Sequence, residues 1–319
     1  MQSSKLIRIV EVCSDIAGRK KGASLGIEAL KRSCDKMGSK YFEDYITDAI
    51  DVGSNNSNEK SVYECAKHID EVYKIISSLS QKIKRLRDDD FFLIVLAGDH
   101  SSCAGTMHGL KMAHPNDEIG VVYIDAHADM HSPYTSETGN MHGMPLAIAC
   151  GIDNIKNKIH NPSKKEIAYW NKLKNIGGEA PSINPENIVF CGVRDCEREE
   201  IEIIKEWNIP NFSVEDITYL GIKNIVDKIF DKLSHCKHIY VSFDVDSVDP
   251  LHIPGTDTPV ENGLSYEQAL QLNLELIKNK NVCCWEIVEI NPLYNEKDND
   301  TEKIFAMLEK ITDNLVKHY

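Results

Sequence analysis

Carboxylate and imidazole side chains alternate directly after an apolar run of strand character. Asp125, His127 and Asp129 follow GVVYI at intervals of two residues, and Asp244 and Asp246 show the same spacing after HIYVSF. In an extended segment, residues two apart project to the same side. The spacing therefore predicts that each set converges on one space, where like charges repel one another unless a cation holds them.

Two further candidates stand at the ends of other apolar runs. His100 follows FFLIVLAG within AGDHS, and Glu289 comes at the end of VCCWEIV. In open α/β sheets, ligands bind at the carboxyl ends of the strands. Four separate strands are thus expected to deliver acidic or imidazole groups to one edge of a sheet.

The charge of such a cluster indicates divalent metal. The four aspartates would carry a charge of about −4 in a partly buried crevice, which is prohibitive without a counter-ion. Two divalent ions would balance them, and the ligand set suffices if two carboxylates bridge. Hard oxygen ligands without thiolate favour Mn²⁺, Co²⁺ or Fe²⁺ over zinc. A lone Asp-x-His pair is often a hydrogen-bonded core pair, but three motifs at three strand ends favour a metal centre.

The elements that must position these groups alternate along the chain. Apolar runs of strand length are separated by helical patterns, and several runs are apolar on consecutive residues, as in strands buried on both faces. This alternation predicts an α/β fold with a parallel sheet and helices on both sides. The predicted strands are 6–12, 45–53, 91–98, 120–126, 187–193, 238–245 and 282–290.

The sequence also indicates where some helices begin and where loops interrupt them. Ser265 and Thr301 are candidate N-caps, each with an acidic residue in the first turn. The stretch 151–182 is polar and broken by Pro and Gly, so we expect a surface excursion with one short helix at 164–173. Residues 54–60 are expected to form a loop. The other predicted helices are 24–37, 61–87, 103–113, 197–207, 222–233, 265–279 and 302–316.

Composition excludes several classes of protein. The chain has 319 residues, enough for one large α/β domain or two smaller ones, and a formal net charge of −14. A nucleic-acid partner is therefore not expected, because phosphate binding requires a basic face. No secretory signal and no membrane-spanning run is recognisable. The ten cysteines are scattered and form no C-x-x-C pair, which is typical of reduced thiols in a cytoplasmic protein.

Taken together, the motifs resemble the ureohydrolase family of arginases and agmatinases. The family's three signatures are matched by AGDHS (97–101), DAHAD (125–129) and SFDVDSVDP (242–250), and its glycine-rich N-terminal turn by GRKKGASLGIEALK (18–31). Ala97 stands where the first signature usually begins with glycine. The resemblance implies a single three-layer α/β/α domain over residues 1–319, with a surface insertion at about 151–185.

The resemblance further implies two Mn²⁺ ions per chain, with Co²⁺ as a possible substitute. One ion would be held by His100, Asp125, Asp129 and Asp244, and the other by Asp125, His127, Asp244 and Asp246. Two ions of this kind lower the pKa of a bridging water and supply hydroxide. The implied reaction is the hydrolysis of L-arginine to L-ornithine and urea.

Three residues are implied in the reaction besides the metal. Asp129 would orient the hydroxide, and His142, in GNMHG, would shuttle a proton to the leaving amine. Glu289 matches the acid that pairs with the substrate guanidinium. Thr258, in GTDTPV, matches a polar residue near that end of the substrate.

The loop after DAHAD carries the expected substrate selectivity. Thr135, Thr138 and Asn140 keep the arginase pattern in register, and the hydroxyls of Ser136 and Thr138 suit a carboxylate. Agmatine has no carboxylate, so an agmatinase would not need them. These residues favour L-arginine as the substrate.

Two positions depart from that pattern, and alternatives stay open. His131 stands where arginases usually have an asparagine that contacts the carboxylate, and Glu197 where an aspartate usually meets the α-ammonium. An agmatinase or another guanidino-acid hydrolase, such as a guanidinobutyrase-like enzyme, would share every metal ligand. A zinc deacetylase of the same general fold would hold one metal, and His100 and Asp246 argue against it. A non-enzymatic metal-binding or scaffold protein would be expected to lose His142 or a bridging aspartate. The family commonly forms trimers or hexamers, which implies a homo-oligomer.

Overall fold

The computed structural model describes residues 6–53, 60–294 and 299–318. Within these residues, eight strands form one parallel sheet in the order β2-β1-β3-β8-β7-β4-β5-β6. Most of the predicted loop at 54–60 lies outside the described residues. The strands are β1 (Ile7–Val12), β2 (Ile46–Ala49), β3 (Phe92–Ala97), β4 (Ile119–Ile124), β5 (Ile188–Cys191), β6 (Asn211–Phe212), β7 (His238–Asp244) and β8 (Val282–Val288).

Helices cover both faces of this sheet. The predicted α/β fold is confirmed. The helices of the described residues are α1 (Gly26–Met37), α2 (Tyr41–Asp44), α3 (Ile69–Asp88), α4 (Ser102–Ala113), α5 (Pro145–Cys150), α6 (Lys164–Lys174), α7 (Arg198–Glu206), α8 (Val214–Leu220), α9 (Ile222–Lys232), α10 (Tyr266–Leu276) and α11 (Asp300–His318). In this part of the chain no helix combines the length and apolarity needed to cross a membrane.

Two hydrophobic cores separate the three layers. Leu93 and Val95 of β3 pack into the core beneath α3 to α7, while Ile94 and Leu96 pack into the opposite core beneath α1, α2 and α8 to α11. All four side chains are at most 1% exposed, as alternation in a strand covered on both faces requires. The sheet is thus a rigid platform for the groups at its edge.

The strand order brings the chemical groups together. β3, β8, β7 and β4 are adjacent at the centre of the sheet. Asp244 is the last residue of β7, and His100, Glu289 and Asp125 follow the ends of β3, β8 and β4. All strands run parallel, so their carboxyl ends open on the same edge.

Two predicted helix starts are wrong. The helix predicted from residue 61 begins at Ile69, because Ser61 Oγ accepts the backbone N–H groups of Tyr63 (3.1 Å) and His68 (2.9 Å) and holds that stretch in a turn. Thr301 is not an N-cap, because Lys303 N already donates to Asn299 O and the helix begins at Asp300. Ser265 is confirmed as an N-cap, since its hydroxyl accepts the N–H of Gln268.

The segment predicted as a surface excursion is held by its helix. α6 carries a capping box between Ser163 and Glu166, and Trp170 is only 1% exposed in the core. Glu166 also accepts the backbone N–H groups of Cys65 and Ala66. This segment therefore packs against the turn that precedes α3.

Candidate metal centre

A cavity of about 370 Å³ opens at the carboxyl edge of the four central strands. Most of the residues singled out in the sequence line it. Asp125, Thr135 and Glu289 are buried just behind the lining. The lining includes His100, His127, Asp129, His131, Ser136, Thr138, Asn140, His142, Glu197, Asp244, Asp246 and Thr258.

Three carboxylates surround His100. Its Nδ1 lies 3.0 Å from Asp125 Oδ2, 3.1 Å from Asp129 Oδ2 and 3.1 Å from Asp244 Oδ2. The imidazole is 1% exposed and all three carboxylates are buried. Four potential ligand atoms from three different strand ends therefore face one point.

A second group forms around His127. Its Nδ1 lies 3.0 Å from Asp246 Oδ2 and 3.5 Å from Asp125 Oδ1. Asp125 thus turns one oxygen towards each histidine, which is the geometry of a bridging carboxylate. Asp125 belongs to two groups of residues whose ligand atoms lie within 4.8 Å of one another, one with His100 and Asp129, the other with His127 and Asp246.

Backbone N–H groups fix the orientation of these carboxylates. Asp125 Oδ1 accepts from His127 N at 2.7 Å, and Asp244 Oδ1 accepts from Asp246 N at 2.8 Å. Asp246 Oδ1 accepts from Ala126 N at 3.1 Å. The D-x-H and D-x-D spacings therefore serve two purposes, because they aim the side chains and let each first aspartate cap the turn after its strand.

Side chains from the strands hold His100 and Asp129. His100 Nε2 is hydrogen-bonded to Ser242 Oγ at 2.8 Å, which leaves Nδ1 towards the carboxylates. Tyr123 stacks on the His100 ring at a centroid distance of 4.7 Å and donates its hydroxyl to Asp129 Oδ2 at 2.7 Å. Such contacts orient metal ligands and fix the histidine tautomer.

The electrostatics of the site call for positive charge. Burial and the charges of Asp246 and Asp125 hold the pKa of Asp244 well above its usual range. Burial opposes the charged form of His127, but the same two carboxylates raise the pKa of that histidine well above its usual range. Asp125 Oδ2 is buried and accepts no hydrogen bond from the described residues. Two imidazoles and four carboxylates, one of which has a buried oxygen that accepts no hydrogen bond, fit a pair of hard divalent cations.

Ser242→Ala should weaken metal binding while leaving the fold intact. The substitution frees His100 Nε2, and loss of such a contact typically lowers metal affinity by ~10–100-fold. Calorimetric titration of chelator-stripped protein with Mn²⁺ measures the change. Ser80→Ala is the matched control, because that buried hydroxyl donates to Ile76 O within α3. Equal Mn²⁺ affinity of the two variants would contradict the assignment.

His142 and Glu289 form a separate pair beside the metal groups. His142 Nδ1 lies 3.4 Å from Glu289 Oε1, which also accepts the backbone N–H of His100 at 2.9 Å. Burial opposes the imidazolium form, but Glu289 outweighs that effect and raises the pKa of His142 to about 9. Glu289 and Asp129 both adopt left-handed backbone conformations, with φ of 63° and 51°. Strain of this kind concentrates at functional sites.

The other end of the cavity carries hydroxyls and a contact between a histidine and two glutamates. His131 Nε2 lies 3.1 Å from Glu197 Oε2 and 3.5 Å from Glu200 Oε2. Thr135 Oγ1 lies 3.2 Å from His131 Nδ1 and accepts the backbone N–H of Ser132, so Thr135 positions the loop behind the cavity wall. Ser136 Oγ accepts the backbone N–H of Gly139, which leaves its own hydrogen free to donate into the cavity.

Several cavity residues were not recognised as site residues from the sequence, among them Arg19, Lys20 and Asp257. Arg19 and Lys20 come from the loop before α1, and Asp257 precedes Thr258. Lys20 N donates to Asp257 Oδ2 at 2.9 Å, so the two loops are joined. The motif GRKKG drew attention to the loop of Arg19 and Lys20, and Thr258 to the loop of Asp257. No periodicity in the sequence predicts that these three side chains face the cavity.

Comparisons with known proteins agree with this geometry. A sequence model of the Arginase family matches residues 5–310. The chain is 29% identical to the arginase of Bacillus subtilis strain 168, covering 96% of this chain and 97% of that one. It is 30% identical to an arginase of Staphylococcus aureus strain MRSA252, covering 97% of each chain.

Solved structures show the same relation. The Entamoeba histolytica arginase in complex with L-ornithine superposes with a TM-score of 0.81 at 29% identity, covering 97% of each chain. The Bacillus subtilis formimidoylglutamase, at 17% identity and a TM-score of 0.73, covers 98% of this chain and 91% of its own, and shows a shared fold alone. Because the family match spans nearly the whole chain, and the motifs behind it meet in one cavity, this protein belongs to the arginase family.

Proposed function

We propose that the protein hydrolyses L-arginine to L-ornithine and urea with two bound Mn²⁺ ions. The observation that carries the proposal is the pair of His–carboxylate groups that share Asp125, next to the His142–Glu289 pair. The proposed ligands of one ion are His100, Asp125, Asp129 and Asp244, and those of the other are Asp125, His127, Asp244 and Asp246. When bound, such an ion pair supplies a strong nucleophile by lowering the pKa of water to near neutrality.

The chain's own residues account for the remaining steps. Glu289 offers a buried carboxylate to the guanidinium, which holds the cationic carbon beside the ligand groups. Asp129, fixed by the Tyr123 hydroxyl, orients the attacking water. His142 is protonated below pH about 9 and donates its proton to the leaving amine. Urea then departs, and the amine remains on the ornithine.

The far end of the cavity binds the amino-acid head in this proposal. The hydroxyls of Ser136 and Thr138 and the Asn140 amide face the α-carboxylate, with His131 beside them. Glu197 attracts the α-ammonium, and Thr258, whose hydroxyl donates to Asp246 Oδ2 at 3.0 Å, borders the guanidinium end. Thr135 supports the head-group loop through its contact with His131.

One contact favours a second candidate, a hydrolase of guanidino acids without an α-amino group. His131 lies 3.1 Å from Glu197, so the carboxylate expected to meet the α-ammonium already faces an imidazole. An imidazole at that place also suits the carboxylate of a guanidino acid such as 4-guanidinobutyrate. Agmatine, which lacks the carboxylate, leaves the loop hydroxyls without a partner.

Urea release from three substrates separates these candidates. Mn²⁺-loaded protein is assayed with L-arginine, 4-guanidinobutyrate and agmatine at equal concentration. We expect L-arginine to have the highest kcat/KM, because it alone offers both head groups. A preference for 4-guanidinobutyrate would contradict the role of Glu197, and a preference for agmatine would overturn the role of the Ser136–Asn140 loop.

We further propose a cytoplasmic homo-oligomer, a trimer or a hexamer. The ten scattered cysteines, which form no C-x-x-C pair, support a reducing compartment. Light scattering coupled to gel filtration measures the assembly, and a monomer at micromolar concentration would refute this part of the proposal.

A further inference from the structure

Asp257 is a buried carboxylate in the cavity wall that the proposed reaction does not use. Its side chain is 1% exposed and lies in the loop after β7. Asp257 Oδ2 accepts the backbone N–H of Lys20 at 2.9 Å, and Lys20 Nζ donates to the Asp257 carbonyl at 2.8 Å. One carboxylate oxygen is therefore occupied by the loop before α1.

The second carboxylate oxygen has no such partner. Asp257 Oδ1 is buried and accepts no hydrogen bond from the part of the chain that the structure describes. The Lys20 ammonium lies 3.9 Å from it, beyond hydrogen-bond distance. A buried carboxylate oxygen without a donor is destabilising, so a ligand that brings N–H groups or positive charge would stabilise it.

Asp257 lies at the same end of the cavity as Glu289 and His142. One ligand atom from each of Asp257, Glu289 and His142 lies within 4.8 Å of the others. An alkyl-guanidinium carries five N–H donors. A single carboxylate cannot accept all of them. Glu289 Oε1 already accepts from His100 N and faces His142, so a second acceptor is needed beside it.

We propose that Asp257 is a second guanidinium-binding carboxylate, which acts with Glu289 to select a cationic guanidine over a neutral group of the same shape. The inference rests on the proposed function for its natural substrate, but the cation site can be tested without turnover. Two carboxylates attract the guanidinium of the substrate and give no such advantage to uncharged urea. The site would therefore hold the substrate more tightly than the product that forms from the same atoms.

A neighbouring aspartate provides a matched control. Asp15 is equally buried and holds the same loop, because its Oδ2 accepts from Gly22 N at 2.9 Å and from the Ser24 hydroxyl at 2.7 Å. Asp15 does not line the cavity. If Asp257 only anchors the loop, Asp15→Asn and Asp257→Asn should have similar effects.

The test is the binding of guanidinium chloride and of urea to Mn²⁺-loaded protein by titration calorimetry. We expect Asp257→Asn to weaken guanidinium binding by ~10-fold, since a hydrogen bond to a charged group contributes about that factor, and to change urea binding less than ~2-fold. The KM for L-arginine should rise in parallel. Asp15→Asn should change the affinity for neither ligand. Because asparagine has nearly the size of aspartate, Asp257→Asn tests the loss of charge and not the loss of volume.

The outcomes separate this inference from the proposed function. Equal weakening of guanidinium and urea, or the same effect in Asp15→Asn, would overturn the inference, as would a wild-type protein that binds guanidinium no more tightly than urea. If the wild-type protein binds guanidinium through Asp257 but releases no urea from L-arginine, the cation site stands and the proposed reaction fails.

Discussion

Asp125→Asn should abolish urea release and remove metal from the protein. Asp125 turns one oxygen to each histidine group, so the substitution takes a charged ligand from both ions at once. Loss of a residue that only hydrogen-bonds to a metal ligand lowers metal affinity by up to ~100-fold, so loss of a ligand itself should lower it further. The kcat should fall by ~10³-fold or more, because metal catalysis contributes several kcal/mol and about 1.4 kcal/mol is tenfold.

Metal content measured by mass spectrometry, together with urea release, checks this prediction. Asp249→Asn is the control, because Asp249 belongs to the same SFDVDSVDP motif but caps a turn, where it accepts the backbone N–H groups of Leu251 and Gly263. That variant should keep its metal and its activity. A fully metal-loaded Asp125→Asn protein with near wild-type kcat would contradict the bridging role.

His142→Asn should lower kcat strongly without removing metal. General acid catalysis contributes ~10²–10⁴-fold, and the asparagine cannot supply a proton. The pKa of His142 is raised to about 9, so the acid is protonated at neutral pH and loses its proton as the pH rises through about 9. The wild-type kcat should therefore rise into the alkaline range as the nucleophile forms, and then fall near pH 9.

The pH profile distinguishes this role from a structural one. In His142→Asn the fall near pH 9 should disappear, while the rise at lower pH remains. Metal content should match the wild-type protein, because His142 pairs with Glu289 and belongs to neither histidine–carboxylate group around Asp125. A variant whose kcat stays within a few-fold of wild type, or which keeps the fall near pH 9, would rule out His142 as the proton donor.

The residues proposed as metal ligands stood out in the sequence because their signal is local. The end of an apolar run places the residues that follow it at the carboxyl edge of the sheet. A spacing of two residues, as between Asp244 and Asp246, predicts that their side chains project to the same side. The sequence does not reveal which strands are neighbours, since pairing such as β3 with β8 joins residues far apart along the chain. That pairing brings Glu289 to the His100 backbone N–H.

The cavity wall was harder to predict because it consists of loops. Asp257 and Lys20 face the site through a contact between two loops, and no periodicity encodes it. Thr135 was expected from the family spacing to belong to the substrate loop, but it does not line the cavity. Its hydroxyl contacts His131 and the Ser132 backbone instead. β6, with two residues, is too short to give a pattern at all.

The most direct measurement is urea release from L-arginine while Mn²⁺ is titrated into chelator-stripped protein. Two ions that share Asp125 should act together, so we expect no turnover without metal and a rate that levels off at two equivalents per chain. Full activity at one equivalent would contradict the paired site. Urea release that needs no metal, or none at any ratio, would contradict the account of this cavity as a binuclear arginine hydrolase.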